Sequence, residues 1–179
     1  MLYIITPCSR PENIPAISKT IPLECKWVIV HDNKTPVNPI DNATLLVCEE
    51  TGIVGTKARN YALDNLSLKD EDLILFHDDD NIIHPGWYDT IQKYLNQDFS
   101  IITWGQLNKD NSKRLSPTNS PSVGNIDTAS FLISWKYNKK VKHQEIYEHD
   151  GIYASECSKN GEVLCINEFL CYYNYLVQK

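Results

Sequence analysis

The sequence has no long apolar segment, no paired-cysteine motif and no excess of basic residues. None of its apolar runs approaches the roughly 18 to 20 residues that a membrane-spanning helix needs, so we expect no transmembrane segment. The formal net charge of −6 argues against nonspecific nucleic-acid binding. The six cysteines form no CxxC pair, and the N-terminus lacks the basic region of a secretion signal. We therefore predict reduced thiols and a cytoplasmic protein.

The chain does contain enough apolar residues for one substantial core. Hydrophobic residues make up 42% of its 179 positions and charged residues only 22%, a composition that disfavours disorder. No internal repeat and no long linker divides the sequence. We predict a single domain over residues 1–179, with a ligand-binding half at 1–105 and a second half at 106–179.

Short β-branched runs alternate with segments of helical periodicity. The pattern predicts strands at 2–6, 26–31, 43–49, 72–77 and 99–105, and helices at 12–20, 56–66 and 86–96. This alternation predicts an α/β fold with a mostly parallel sheet flanked by helices. The second half predicts a long polar loop, functional or mobile, at 106–125, a strand at 126–135, a helix at 150–161 and two strands at 162–167 and 169–176.

Polar clusters follow three of the predicted strands, at Thr6–Arg10, His31–Asn33 and His77–Asn81. Ligands of parallel sheets bind beyond such strand ends. Asp78 and Asp80 are two residues apart, so they can share a face, where two carboxylates disfavour joint ionisation. A divalent cation would remove that cost, and oxygen ligands suit Mg²⁺, Mn²⁺ or Ca²⁺ better than zinc. The pattern fits a nucleotide diphosphate site; a solvated acidic turn is the alternative.

Three rival motifs fit the sequence poorly. A calcium loop that starts at Asp78 would need a glycine at its sixth position, where Ile83 stands. A phosphotransferase with Asp78 as nucleophile would need a threonine at position 82, which is isoleucine. The stretch GIVGTK at 52–57 has the glycines of a phosphate loop too close together, and its Thr56 precedes the lysine.

Four motifs occur in an order that is far more specific than any one of them. TPCSRP, WVIVHD, GTKARNYAL and HDDDN follow one another between residues 6 and 81. In this order the chain resembles nucleotide-sugar glycosyltransferases of the GT-A fold, and in particular the β-1,3-glucuronyltransferases. The segment HDGIYASECSKNGEVLCINEFLCYYNYL at 149–176 is similar to the C-terminal part of the bacterial family 2 enzymes. The resemblance implies a metal-dependent transferase that uses a nucleotide diphosphate sugar.

The resemblance also implies roles for single residues. Asp32 would bind a uracil-like base, which favours a UDP-sugar, while Pro7 and Arg10 would frame the base and ribose. The remaining donor contacts would come from Lys57, Arg59 and Asn60 near the phosphates or sugar, Asp78 at the sugar or ribose, Asp79 at the ribose, and Asp80 at a Mn²⁺ or Mg²⁺ ion.

On the acceptor side, Asp150 would act as general base for an inverting displacement by a glycan, lipid or protein hydroxyl. The stretch Asp127–Ser130 resembles the segment that approaches the donor sugar or the acceptor.

Each of these roles has a structural alternative. Asp32 could cap a loop, Arg59 could pair with an acid on the helix surface, and Asp150 could be the N-cap of its helix, with Glu145 or Glu148 as substitute bases. No histidine follows Gly161, where many GT-A enzymes supply a further metal ligand. That departure keeps a second hypothesis open, a nucleotide-sugar-binding protein or hydrolase without efficient transfer.

Overall fold

The computed structural model describes residues 1–177. Strand β1, Leu2–Pro7, shows how the sheet of this protein is built. Every residue of β1 is buried, because its alternate side chains enter two different cores. Leu2 and Ile4 belong to one apolar cluster, whereas Tyr3 and Ile5 belong to the other. The sheet is therefore covered on both faces, which explains why its inner strands read as continuous apolar runs.

Within residues 1–177 the chain forms nine strands, which join one sheet. After β1 they are β2 Lys26–Asp32, β3 Ala43–Cys48, β4 Leu73–Phe76, β5 Ile82–Ile83, β6 Ile101–Leu107, β7 Lys113–Leu115, β8 Phe131–Ser134 and β9 Val163–Tyr172. The order is β3-β2-β1-β4-β8-β6-β9-β5, with β7 paired to β6. The pairs β1–β2, β1–β4, β2–β3 and β6–β9 are parallel and carry most of the ladder, and the others are antiparallel.

Five α-helices flank the sheet within the same residues: α1 Ile14–Ile17, α2 Thr56–Asn65, α3 Trp87–Ile91, α4 Trp135–Asn138 and α5 His149–Ser158. Helices α1 and α3 pack into the cluster that contains Leu2 and Ile4. Helices α2 and α5 pack into the other cluster. Their apolar faces explain the placement, since Ala58, Ala62 and Leu63 of α2 lie at helical spacing and are buried.

The structure confirms the predicted α/β class with a mostly parallel, helix-flanked sheet and corrects several boundaries. The helix predicted at 86–96 ends at Ile91 and continues as turns, and the one predicted at 12–20 is a 3₁₀ turn followed by the short α1. The two predicted terminal strands are one irregular strand, β9, whose pairing to β6 shifts register. Residues 128–130, predicted as strand, form a 3₁₀ turn that Asp127 caps.

Both predicted halves of the chain contribute strands to the one sheet. The central neighbours β4 and β8 come from residues 73–76 and 131–134, on opposite sides of the predicted division. Positions 178 and 179 of the predicted domain lie outside the described residues. Among residues 1–177, no helix combines the length and the apolar character needed to cross a bilayer.

Candidate functional site

One cleft of about 630 Å³ lies beyond the ends of β1 and β4. Its walls are the segments that follow these two strands, the turn before α2, the β7 hairpin, the loop before β8 and the first turn of α5. Of the predicted site residues, the cleft-lining ones are Pro7, Arg10, Arg59, Asp78, Asp79, Asp80 and Asp150. Asp32, Lys57 and Asn60 lie outside its lining.

Asp79 ties the segment after β4 to the segment after β1. Its Oδ2 accepts hydrogen bonds from the backbone N–H of Ser9 at 2.6 Å and of Arg10 at 2.7 Å, and from the Ser9 hydroxyl at 3.1 Å. Its Oδ1 accepts from Arg10 Nε at 2.8 Å. Because both carboxylate oxygens are engaged and the side chain is buried, Asp79 fixes the floor of the cleft in this structure.

Asp80 is a buried carboxylate that is only partly neutralised. Arg10 Nη1 lies 2.8 Å from its Oδ2. Burial, together with the negative charges of Asp78 and Asp79, raises the pKa of Asp80 to about 6, and Arg10 opposes the rise. A site that resists ionisation in this way is one that an added cation would stabilise.

Asp78 receives its countercharge from helix α2. Arg59, whose side chain is 1% exposed, donates from Nη2 to Asp78 Oδ1 and from Nη1 to the carbonyl oxygen of Val54. This arginine is buried, unlike the surface ion pair considered from the sequence. Gly55, at φ +80°, precedes α2 and lies so close that an added Cβ would meet Pro7 at 2.7 Å.

Two predicted donor contacts, Lys57 and Asn60, point away from the cleft. Lys57 pairs with Glu50, and its Nζ lies 3.5 Å from Glu145. Asn60 forms a two-way clamp with the backbone of His143, at 2.8 and 2.9 Å. Lys57 therefore contacts acidic residues at the surface, and Asn60 contacts the backbone at His143. Neither side chain lines the cleft.

Asp32 closes a turn at the end of β2. Its Oδ1 accepts from the backbone N–H of Lys34 at 2.9 Å and from both the N–H and the hydroxyl of Thr35 at 3.0 Å. Burial raises the pKa of Asp32, but these hydrogen bonds outweigh burial and lower it. The placement matches the loop-capping alternative that the sequence left open.

Asp150 lies at the second position of α5, and Glu148 occupies the N-cap. Its Oδ1 accepts from the N–H of Gly151 at 2.7 Å. Burial, followed by the charges of Asp127 and Asp78, raises the pKa of Asp150 to about 6. A carboxylate with a pKa of about 6 can accept a proton near neutral pH.

The position of Asp150 depends on a close contact between α5 and the loop before β8. A Cβ on Gly151 would lie 2.5 Å from the Cα of Val123, so only glycine allows this approach. Val123 also lines the cleft.

Two further cleft residues escaped the sequence prediction as individual sites. Asp127 is buried, and its Oδ2 lies 2.9 Å from Nη1 of Arg114 in β7. Burial and the charge of Asp78 raise the pKa of Asp127. The Arg114 guanidinium also lies 3.5 Å from the ring centroid of Tyr173. Arg114 lies in the segment 106–125, which the sequence predicted to be a functional or mobile loop. Nothing in that polar sequence distinguished Arg114 from its neighbours.

Within residues 1–177, no three side chains of His, Cys, Asp or Glu converge as a ready-made metal cage. The cleft nevertheless fits a magnesium-type ion, because such ions take few protein carboxylates and complete their shell with water and phosphate oxygens. In this structure Asp78 and Asp80 line the cleft with carboxylate oxygens, the ligand chemistry that such an ion takes.

Comparison with solved structures places the fold. The structure of S. aureus TarS 1-349 is similar to this chain, with a TM-score of 0.70 and 16% sequence identity. The match covers 96% of this chain and 59% of that one. A putative glucose-1-phosphate thymidylyltransferase from Bacillus anthracis matches with a TM-score of 0.55 at 13% identity, covering 97% of this chain and 86% of the other. The inositol-1-phosphate CTP transferase from T. maritima matches with 0.55 at 9%, covering 96% and 87%.

These likenesses confirm the GT-A-like α/β fold that the motifs implied. The chain spans about six-tenths of the S. aureus TarS 1-349 chain that it matches. No model of a known protein family matches the sequence, and no curated protein matches it either.

Proposed function

We propose that this protein is a glycosyltransferase that moves a sugar from a nucleotide diphosphate sugar to an acceptor hydroxyl with inversion. One observation carries the proposal: Asp78 and Asp80 at a strand end and Asp150 on α5 line the same cleft. Its volume of about 630 Å³ is in the range of small-molecule sites, roughly 300 to 1,000 Å³. Fold neighbours named as thymidylyl and CTP transferases support a nucleotide ligand.

Asp150 is the proposed general base. The acceptor oxygen attacks the anomeric carbon while its proton passes to the Asp150 carboxylate, and the bond between that carbon and the diphosphate oxygen breaks. The nucleoside diphosphate leaves with the bonding electrons. A single displacement of this kind inverts the anomeric centre, and a pKa of about 6 keeps Asp150 ionised near neutrality.

Asp80 is the residue that would hold Mn²⁺ or Mg²⁺. When bound, such an ion stabilises negative charge on the diphosphate leaving group. Arg10 adds a fixed positive charge beside Asp80. Pro7, Arg10 and Asp78 are the proposed direct donor contacts. Arg59 and Asp79 also line the cleft, and they hold Asp78 and the segment after β1 in place.

A UDP-sugar is the donor that the resemblance implies. The predicted uracil contact, Asp32, already accepts three hydrogen bonds within its own turn. Base preference is therefore the first quantity to measure, with UDP-, GDP- and dTDP-sugars tested with and without Mn²⁺. Thermal shift reports binding, and product analysis with a mixture of glycan, lipid-linked and peptide acceptors reports transfer.

We expect a UDP-sugar and Mn²⁺ together to raise Tm more than either alone, because the diphosphate completes the ion's shell. Absence of stabilisation by every nucleotide sugar would refute the proposal. Release of free sugar, with none transferred, would assign the hydrolase alternative, which the lack of a histidine after Gly161 in the sequence keeps open. Formation of a nucleotide sugar from a nucleoside triphosphate would assign nucleotidyl transfer instead.

A further inference from the structure

Two buried histidines form a pair behind the wall of the cleft. His143 and His149 are each 3% exposed, and their Nδ1 atoms lie 3.0 Å apart. Only His149 lines the cleft, directly before Asp150 in the sequence. Neither histidine belongs to the proposed donor site, so the pair needs a separate explanation.

His143 is held firmly in place. The amide of Asn60 accepts from its backbone N–H at 2.9 Å and donates to its carbonyl oxygen at 2.8 Å. Its ring stacks on Tyr153 with 3.9 Å between centroids and an interplanar angle of 3°. The edge of Phe76 packs at 4.7 Å. The ring of His143 therefore has a fixed position against which His149 must orient.

A single proton occupies the 3.0 Å contact between the two Nδ1 atoms, because one nitrogen must donate and the other accept. If His149 donated, neutral His143 would carry its proton on Nε2. That atom is buried and has no hydrogen-bond partner. Buried N–H groups without a partner are rarer than underused acceptors, so the geometry favours His143 as donor. Neutral His149 then carries its proton on Nε2.

The Nε2 atom of His149 is the edge of the ring that remains for the cleft, since Nδ1 faces His143. Among residues 1–177 this nitrogen has no hydrogen-bond partner, and unlike Nε2 of His143 it is not completely buried. Burial, followed by the positive charge of Arg59, lowers the pKa of His149 to about 3 and that of His143 well below the ordinary value. Both rings are thus neutral near pH 7.

We propose that His149 donates its Nε2–H to a hydroxyl oxygen of the glycosyl acceptor beside Asp150, and that His143 is the positioning residue that fixes this tautomer. The assignment to the acceptor rests on the proposed function. A neutral donor on α5 suits an uncharged hydroxyl oxygen, whereas the diphosphate is matched by Arg10 at the opposite, strand-end segment. Asp150 would remove the proton of one acceptor hydroxyl while His149 orients the same or a neighbouring oxygen.

The tautomer can be tested without any ligand. Histidine labelled with ¹⁵N in the full chain gives separate signals for protonated and lone-pair ring nitrogens, and His143→Asn and His149→Gln assign the two residues among the five histidines. We expect the proton on Nδ1 of His143 and on Nε2 of His149. The opposite arrangement would overturn the proposal even if glycosyl transfer is demonstrated.

Binding is tested on the same signals with D-glucose as a hydroxyl probe and the UDP-, GDP- and dTDP-sugars as donor probes. We expect glucose to shift the His149 Nε2–H signal in a saturable manner and UDP alone to leave it unchanged. A shift with UDP alone, or no shift with any probe, would overturn the acceptor role. If the expected tautomer is found but no nucleotide sugar binds, the proposed function is wrong and the tautomer assignment stands.

Kinetics separate an acceptor contact from a packing role. With the donor and acceptor that the panel identifies, His149→Phe keeps ring volume but lacks the N–H, and we expect its acceptor KM to rise about tenfold. His149→Gln, whose amide N–H reaches a similar position, should stay within roughly twofold of the natural protein. His84→Phe, outside the cleft, is the control for loss of a histidine. Equal KM values for His149→Phe and His149→Gln would refute the hydrogen bond.

Discussion

Replacement of Asp150 by asparagine should abolish transfer and at the same time stabilise the protein at neutral pH. Asparagine has the shape of aspartate, and its Oδ1 can still accept the 2.7 Å hydrogen bond from Gly151. It cannot ionise, so it neither accepts the acceptor's proton nor suffers the cost of a buried negative charge. A residue kept for catalysis at the expense of stability should show this combination.

The magnitude follows from the pKa of Asp150, which burial and the charge of Asp127 raise from 3.8 to about 6. At 1.36 kcal/mol for each tenfold change in the dissociation constant, the rise corresponds to roughly 3 kcal/mol. Partial exposure of the side chain reduces the expected gain of Asp150→Asn to about 1–2 kcal/mol.

The sign depends on pH. The folded protein binds this proton more tightly than the unfolded chain, so stability falls as pH rises from about 4 to about 6. The gain of Asp150→Asn should therefore be absent at pH 4 and complete above pH 7.

Urea unfolding at pH 4, 5.5 and 7.5 measures this difference, and thermal shift with a UDP-sugar and Mn²⁺ checks that donor binding survives. The control is Asp98→Asn, because hydrogen bonds from Tyr137 and Lys136 lower the pKa of exposed Asp98, and its replacement should destabilise rather than stabilise at pH 7.5. Equal stability of Asp150→Asn and the natural protein at all three pH values would refute the electrostatic argument. Loss of donor binding would remove Asp150 from the role of base.

Three other changes test separate parts of the cleft. Gly151→Ala should lower stability by about 1–3 kcal/mol and weaken acceptor binding, because its Cβ meets the Val123 backbone at 2.5 Å; urea unfolding and acceptor KM measure both effects. Arg59→Leu should cost about 3–5 kcal/mol in urea unfolding by leaving Asp78 without its partner, and Asp78→Asn in the same chain should restore part of it. Asp80→Asn should remove the Mn²⁺-dependent part of the Tm increase with UDP, as should a chelator, and an unchanged Mn²⁺ effect would exclude Asp80 as its ligand.

The sequence was most informative where burial on both sheet faces left its mark. The runs of β1, β2 and β4 predicted strands within two residues at each end, and the polar residues that follow β1 and β4 do line one cleft. Strand ends are visible in a sequence because apolar runs stop there. Periodicity also located α2 and α5, which bring Arg59 and Asp150 to that cleft.

Side-chain direction was the part that the sequence could not supply. Asp32 also ends a buried strand, but its carboxylate accepts hydrogen bonds from Lys34 and Thr35, two and three residues later. Lys57 and Asn60 flank Arg59 on the same helix, yet each lies at a different angle around its axis and meets a different partner. A motif can name the helix correctly and still leave open which of its residues reaches the ligand.

Arg59 acts electrostatically on both the donor side and the acceptor side of the candidate site. Arg59 supplies the charge that Asp78 needs at the strand end. Burial lowers the pKa of His149 and the charge of Arg59 lowers it further, so this ring stays a neutral donor. The effect of Arg59 on Asp150 also lowers the pKa but is weaker than that of burial and of Asp127, so this carboxylate still has a pKa near 6. One buried cation therefore pairs with the charged Asp78 on the donor side and adds to the burial that keeps the His149 ring neutral on the acceptor side. Burying an arginine at this position costs desolvation, and its ion pair with Asp78 gives a physical reason for that cost.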